Sequence, residues 1–342
     1  MRARGFSTRV LLILLLVVTG CTPLGKASPA APAPAFTATA NATPAATSTV
    51  IVAAATASPT PAPSPTITPA PAPAVLIGAG DIALCGDAPQ YQGDDRTAAI
   101  IQSLIKEAPD AAVMVIGDAA YGDGTRAEFK NCFGPTWGQF KDRIHPALGN
   151  HEYMTDNAAP YFEYFGAAAG PVGLGYYSYD LGDWHIVVLN ANCDQIACTP
   201  ESQQVQWLRA DLQNSGKQCT LAYWHQPRWS SGLTGGGFAA TLWKTAVEMG
   251  VDVVVNGHDH DYERLAPMDA SGAADPRGAR EFVVGTGGGE LRDWGKINPN
   301  SEVRYNGVHG VIKFTLFPGT YQWDFIPAED ASMTDAGAGD CH

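Results

Sequence analysis

The chain has 342 residues, of which 45% are hydrophobic and only 16% charged, enough apolar material for one large core or two small ones. Its formal charge of −13 argues against nucleic-acid binding, which depends on Lys and Arg neutralising phosphates. A local cluster of cations or metals can still reverse that field for a small anionic substrate.

Residues 1–21 read as a targeting segment. Arg2, Arg4 and Arg9 precede an unbroken apolar run from Val10 to Val18. Such a run rises only about 14 Å as a helix, short of a bilayer core of about 30 Å, so a signal peptide is expected rather than a permanent span. The run ends in Val18-Thr19-Gly20-Cys21, which resembles the lipobox of bacterial lipoproteins. That resemblance implies a lipidated Cys21 and a membrane tether, with the protein at the cell surface or in the periplasm. An ordinary signal cut nearby would make it secreted; export is common to both. Residues 22–74 are Ala, Pro, Thr and Ser with almost nothing aromatic, and are expected as a disordered linker because they bury too little to offset their ordering entropy.

Regular structure is expected from Val75. Val75–Ala79, Ala111–Ile116, Trp184–Leu189, Thr220–Trp224, Val251–Val255 and Glu281–Val284 read as buried strands. Thr97–Lys106, Ser202–Leu212 and Ala239–Met249 read as helices, the second opened by Pro200-Glu201. Val308–Leu316 and Thr320–Phe325 flank Pro318-Gly319 as a closing hairpin. The mixture predicts an α/β domain over residues 75–328, followed by a small, polar C-terminal tail, 329–342. Apart from Cys21, six cysteines remain, an even number that in an exported chain points to disulfides with fifteen possible connectivities. Cys193 and Cys198 close a small loop; Cys85–Cys132 and Cys219–Cys341 are the other pairings expected.

Metal-capable side chains fall where the expected strands end. Asp81 follows Val75–Gly80, Asp118 and Tyr121 follow Ala111–Gly117, and Asn150-His151 follow Pro146–Gly149. His225 follows Leu221–Trp224, and His258 and His260 follow Val251–Gly257. Ligands of open α/β sheets bind outside the carboxyl ends of the strands. Singly, each residue has an ordinary structural explanation: a turn Asp, a left-handed Asn, a packed Tyr or His. The constellation carries the weight, and His258 and His260, two apart in an extended segment, face one side.

Together, Gly80-Asp81, Gly117-Asp118-Ala119-Ala120-Tyr121, Gly149-Asn150-His151-Glu152, Trp224-His225 and Asn256-Gly257-His258-Asp259-His260 resemble the motifs of calcineurin-like metallophosphoesterases, in detail the purple acid phosphatase branch. The resemblance implies a four-layer αββα sandwich with a dimetal site at the C-terminal strand ends. It implies an exported hydrolase of phosphate monoesters acting through a metal-bound hydroxide. Asp118 would bridge two metals, with Asp81, Tyr121 and His260 on one and Asn150, His225 and His258 on the other. The ordinary superfamily histidine is replaced by Ala83, and Tyr121 takes its place as in the purple branch. A phenolate favours Fe(III), beside a divalent Zn, Mn or Fe. His151 matches the residue that contacts phosphate and protonates the departing oxygen, or else orients Asp81 or Asp118 from behind. Relatives carry more histidines after the one matching His225; Gln226–Leu242 has none, and Arg228 is the expected substitute for binding phosphate. A phosphodiesterase or nucleotidase on the same site is the alternative, and a surface-anchored binding protein with a vestigial site is a further one. A zinc peptidase is disfavoured, since there is no HExxH.

Overall fold

A computed structural model describes residues 72–86 and 92–342. The expected signal segment with Cys21, and the linker as far as residue 71, lie outside the described residues. In chain order the strands are β1 (Ala74–Ala79), β2 (Ala112–Ile116), β3 (Ile144–Ala147), β4 (Tyr177–Leu181), β5 (Trp184–Val188), β6 (Cys219–Tyr223) and β7 (Val253–Asn256). They continue as β8 (Tyr262–Leu265), β9 (Arg280–Val284), β10 (Ser301–Tyr305), β11 (Gly310–Phe317), β12 (Thr320–Pro327) and β13 (Asp335–Asp340). The helices are α1 (Gly93–Glu107), the single turn α2 (Arg126–Glu128), α3 (Ala159–Phe165), α4 (Gln203–Asn214) and α5 (Ala240–Glu248).

Two sheets form, in the orders β13-β12-β11-β1-β2-β3 and β10-β8-β9-β7-β6-β5-β4. β1, β2 and β3 run parallel in the first sheet, and β5, β6, β7 and β9 in the second. In β6 and β7, Leu221, Tyr223, Val253 and Val255 pack in the core shared with the first sheet, while Ala222 and Val254 pack with Val205 and Leu208 of α4 and Leu242 and Trp243 of α5. Burial on both faces is why these strands read as continuous apolar runs rather than alternating ones. Phe282 of β9 meets Phe314 of β11 edge to face at 5.4 Å, joining the sheets. Ala98 and Ile101 of α1 cover the first sheet, giving the expected helix–sheet–sheet–helix sandwich.

The differences from expectation have local causes. α4 starts later than Pro200-Glu201, because Ser202 is the cap and its hydroxyl accepts the Val205 N–H. The stretch beyond Glu329 is no separate tail: β13 pairs along β12, and its glycines Gly337 and Gly339 leave room for the rings of Trp323 and Tyr321. A strand built this way has no apolar alternation to read. All three expected disulfides are present, Cys85–Cys132, Cys193–Cys198 and Cys219–Cys341. The last ties the start of β6 to the end of β13.

Away from the strand ends, His185 of β5 lies between two carboxylates, Nδ1 at 3.0 Å from Asp180 and Nε2 at 2.8 Å from Asp211. Burial opposes its charge, but hydrogen bonds to Asp211 and Asp180 outweigh that and raise its pKa. A raised pKa means a stabilising contribution that is full below the unfolded value of about 6.5 and is lost as pH rises through the folded value. His185→Gln is therefore expected to lower the unfolding free energy by about 1–3 kcal/mol in mildly acidic buffer. The gap from wild type should shrink toward alkaline pH in denaturant titrations; a gap independent of pH would count against the imidazolium.

Candidate metal centre

Every expected ligand emerges from the carboxyl end of a parallel strand: Asp81 after β1, Asp118 and Tyr121 after β2, Asn150 after β3, His225 after β6, His258 and His260 after β7. Three of these residues turn sharply to do so. Asp81, Asp118 and His258 have φ of 60°, 46° and 72°, the left-handed region that non-glycine residues enter at a cost. Two glycines make the crowding possible. A Cβ on Gly117, itself at φ 80°, would lie 2.6 Å from the His225 ring, and one on Gly149 would lie 2.1 Å from Asp118 Oδ1.

The donors form two groups that share one carboxylate. In the first, the Tyr121 hydroxyl is 2.7 Å from Asp81 Oδ1 and 3.0 Å from His260 Nε2, with Asp81 and His260 3.2 Å apart. In the second, His225 Nε2 is 3.3 Å from His258 Nδ1, and Asn150 Oδ1 and His258 Nε2 are buried without a protein partner. Asp118 Oδ2 lies 3.1 Å from Tyr121 and 3.1 Å from His225 Nε2, between the groups. Asp118, His225 and His258 each offer an atom within 4.8 Å of the others. Ring orientation is fixed from behind: His225 Nδ1 bonds the Ile116 carbonyl at 2.8 Å and His260 Nδ1 the Glu290 carbonyl at 2.6 Å, leaving each Nε2 facing inward.

The electrostatics ask for cations. Burial and then the Asp118 and Asp81 charges hold the Tyr121 phenol well above its ordinary range, so only a strongly charged cation would draw off its proton. Burial alone would lower the His225 pKa, yet Asp118 and then Asp81 outweigh it and push it up to about 10. Burial, followed by the neighbouring His225, pushes His258 down to about 4. Carboxylates, a phenol, an amide oxygen and inward-facing imidazoles, two of the atoms orphaned, fit metal ions.

Residues 80–262 match the calcineurin-like phosphoesterase family, more than half of the chain. The chain belongs to that family. It is 29% identical to purple acid phosphatase 15 of Arabidopsis thaliana over 248 residues, covering 61% of this chain and 45% of that protein. The chain thus spans about half the length of such curated relatives. Among solved structures, purple acid phosphatase PPD1 from yellow lupin (Lupinus luteus) aligns with a TM-score of 0.63 at 19% identity, over 78% of this chain and 54% of that one. GAP50, the anchor in the inner membrane complex of Plasmodium, aligns at 0.60 and 14% identity, over 80% and 90%. At those identities the structures show a shared fold.

In this member of the family, His151 joins the cluster from its edge. Its N–H donates to Asp118 Oδ1 at 2.9 Å, Nδ1 meets the Gly122 carbonyl, and Nε2 lies 3.8 Å from Asp118 Oδ2. Arg228 is not brought to the donors. Its N–H and that of Trp229 are held by Glu281, and its guanidinium stacks 4.2 Å from the Trp229 ring centre. There it lines a separate cavity of about 350 Å³ with Leu233 and Ile297. Glu152, given no role from sequence, is fully buried and accepts the N–H groups of Gly149, Ala119 and Asp118 at 2.7, 2.9 and 3.1 Å. Its place directly after Asn150-His151 was the available signal. Asp259, between the two histidines, faces away and holds Ser230 and Thr234.

Proposed function

We propose that the chain is an exported dimetal phosphatase of the purple acid phosphatase type, hydrolysing phosphate monoesters. Asp118 carries the proposal, because one of its oxygens sits 3.1 Å from the donor groups on either side. Asp81, Tyr121 and His260 would hold one ion, Asn150, His225 and His258 the other. The phenol favours Fe(III) in the first position, and the imidazole and amide donors favour a divalent Zn, Mn or Fe in the second. Bound there, the pair supplies Lewis acidity and a nucleophile from water at near-neutral pH. His151, with its ring partly exposed beside Asp118, would donate a proton toward the departing oxygen. Asn150 borders the cavity in which that oxygen would leave. Three disulfides support export, and a lipid tether at Cys21 fits the same compartment.

The fold is shared with GAP50, so fold alone does not choose between an enzyme and a surface-anchored protein. The complete donor set favours the enzyme. Elemental analysis of the purified protein, run beside a panel of phosphate monoesters and diesters, tests this directly. Two metals per chain, iron included, and faster turnover of monoesters are expected. Tyr121→Phe should lose any visible phenolate-to-iron absorption band while the wild type keeps it; a colourless active wild type would remove the Fe(III) assignment and leave the phosphoesterase one.

A further inference from the structure

We infer that Gln226 selects esters whose leaving group bears a hydrogen-bond donor, in a cavity that favours an uncharged or cationic leaving group over a polyanionic one. The inference rests on the phosphatase function proposed above and names its substrate class. A cavity of about 550 Å³ adjoins the metal centre, with Asn150 and His258 in one wall and Met154, Phe238, Asp194 and Gln226 in the others. Among the described residues that line it there is no lysine or arginine, and Asp194 is the carboxylate. An ester carrying further phosphates would find no counter-charge there and one repelling group. Met154 and Phe238, 61% and 42% exposed, give the mouth an apolar rim, and the Phe238 ring stands edge-on to His258 at 5.4 Å.

Gln226 supplies the specific contact. A relay of amides fixes its orientation. Asn190 Nδ2 donates to the Leu174 carbonyl at 3.0 Å and to the Tyr153 hydroxyl at 2.8 Å, so its Oδ1 accepts from the Asn192 backbone and side chain at 3.1 and 3.0 Å. Asn192 must then present its own oxygen to Gln226, whose Nε2 donates to it at 2.8 Å. Gln226 is 6% exposed, and its Oε1 is left buried with no protein partner. The only other unpartnered buried side-chain atoms among the described residues lining this cavity are Asn150 Oδ1 and His258 Nε2, both accounted for by the metal. A buried acceptor held this way calls for a donor from outside the chain, a hydroxyl or an ammonium group.

The test compares the metal-loaded wild type with Gln226→Met, which keeps the volume and removes the acceptor, and Gln226→Glu, which keeps an acceptor and adds charge. Phosphoethanolamine and glycerol 2-phosphate are the donor-bearing esters, phenyl phosphate the donor-free one and inositol hexakisphosphate the polyanion. In Gln226→Met the KM ratio of donor-bearing to phenyl ester should rise about tenfold, a hydrogen bond's worth. Calorimetric binding of the non-hydrolysable 2-aminoethylphosphonate should weaken similarly relative to phenylphosphonate. Gln226→Glu should favour the ammonium ester over the hydroxyl one. Unchanged ratios in both variants, or a hexakisphosphate turned over with kcat/KM equal to the monophosphates, overturn the inference while the phosphatase function stands. A wild type that contains two metals and hydrolyses none of the esters overturns both.

Discussion

Asp118→Ala is expected to leave the protein without its metal pair and to reduce phenyl phosphate hydrolysis by more than about 10³-fold, beyond the loss of a single stabilising contact in a transition state. The size follows from position. One carboxylate oxygen serves both donor groups at 3.1 Å each, so no other residue can compensate for one side without abandoning the other. The second oxygen accepts the His151 N–H at 2.9 Å, so the substitution also frees the edge from which a proton would be delivered. Asp118 is the leading counter-charge of His225, and without it the next one that buried ring has is Asp81, at 3.9 Å. Its pKa should fall, and its imidazole should lose the orientation set between Ile116 and Asp118. Metal content per chain by elemental analysis and turnover number are the measurements. Two metals retained at wild-type stoichiometry would show that Asp118 does not bridge them.

Much of the candidate metal centre was legible because the placement of its residues follows from strand burial. Parallel strands covered on both faces must be apolar, so the first polar side chain after each run marks the carboxyl end of the sheet. That marks Asp81, Asp118, Asn150 and His225 as candidates, whereas the run Val251–Val255 is followed first by Asn256, with His258 two residues on. Tyr121 was legible only through the resemblance, in which a tyrosine substitutes for the histidine expected at Ala83; in the structure Tyr121 reaches across from the adjoining turn, where Ala120 and Ala83 form a bridge. Arg228 was misjudged because nearness to His225 in sequence is not nearness in space. Glu281, 53 residues on, captures the backbone at Arg228 and Trp229, and the guanidinium settles on the indole. The acceptor left open on Gln226 was equally invisible, since it depends on Asn190 and Asn192 settling their own hydrogen bonds first. β13 was missed because its glycines serve the rings of the neighbouring strand instead of a hydrophobic face of its own.

Glu152→Ala carries the largest effect expected outside the ligands themselves. The side chain is fully buried, and its two oxygens receive N–H groups from the turn after β2, Asp118 and Ala119, and from the turn after β3, Gly149. It therefore locks together the two loops that deliver Asp118, Tyr121, Asn150 and His151. Burial and then the Asp118 charge push its carboxyl up to about 7, with the Gly149 and Ala119 N–H groups pulling the other way. A cation on Asp118 would relieve part of that strain and tighten the whole arrangement. Alanine leaves three buried donors unsatisfied, which should cost at least about 3 kcal/mol of unfolding free energy. Because a ligand loses its support, metal affinity should fall as well, by about 10–100-fold in chelator competition. Glu152→Gln keeps the shape but turns one acceptor into a donor that faces an N–H, so it should lie between alanine and wild type on both scales. The two measurements separate two roles. Lower stability with unchanged metal affinity would make Glu152 a brace of the fold alone, whereas a parallel loss in both, graded from glutamine to alanine, is the outcome required of a residue that positions Asp118.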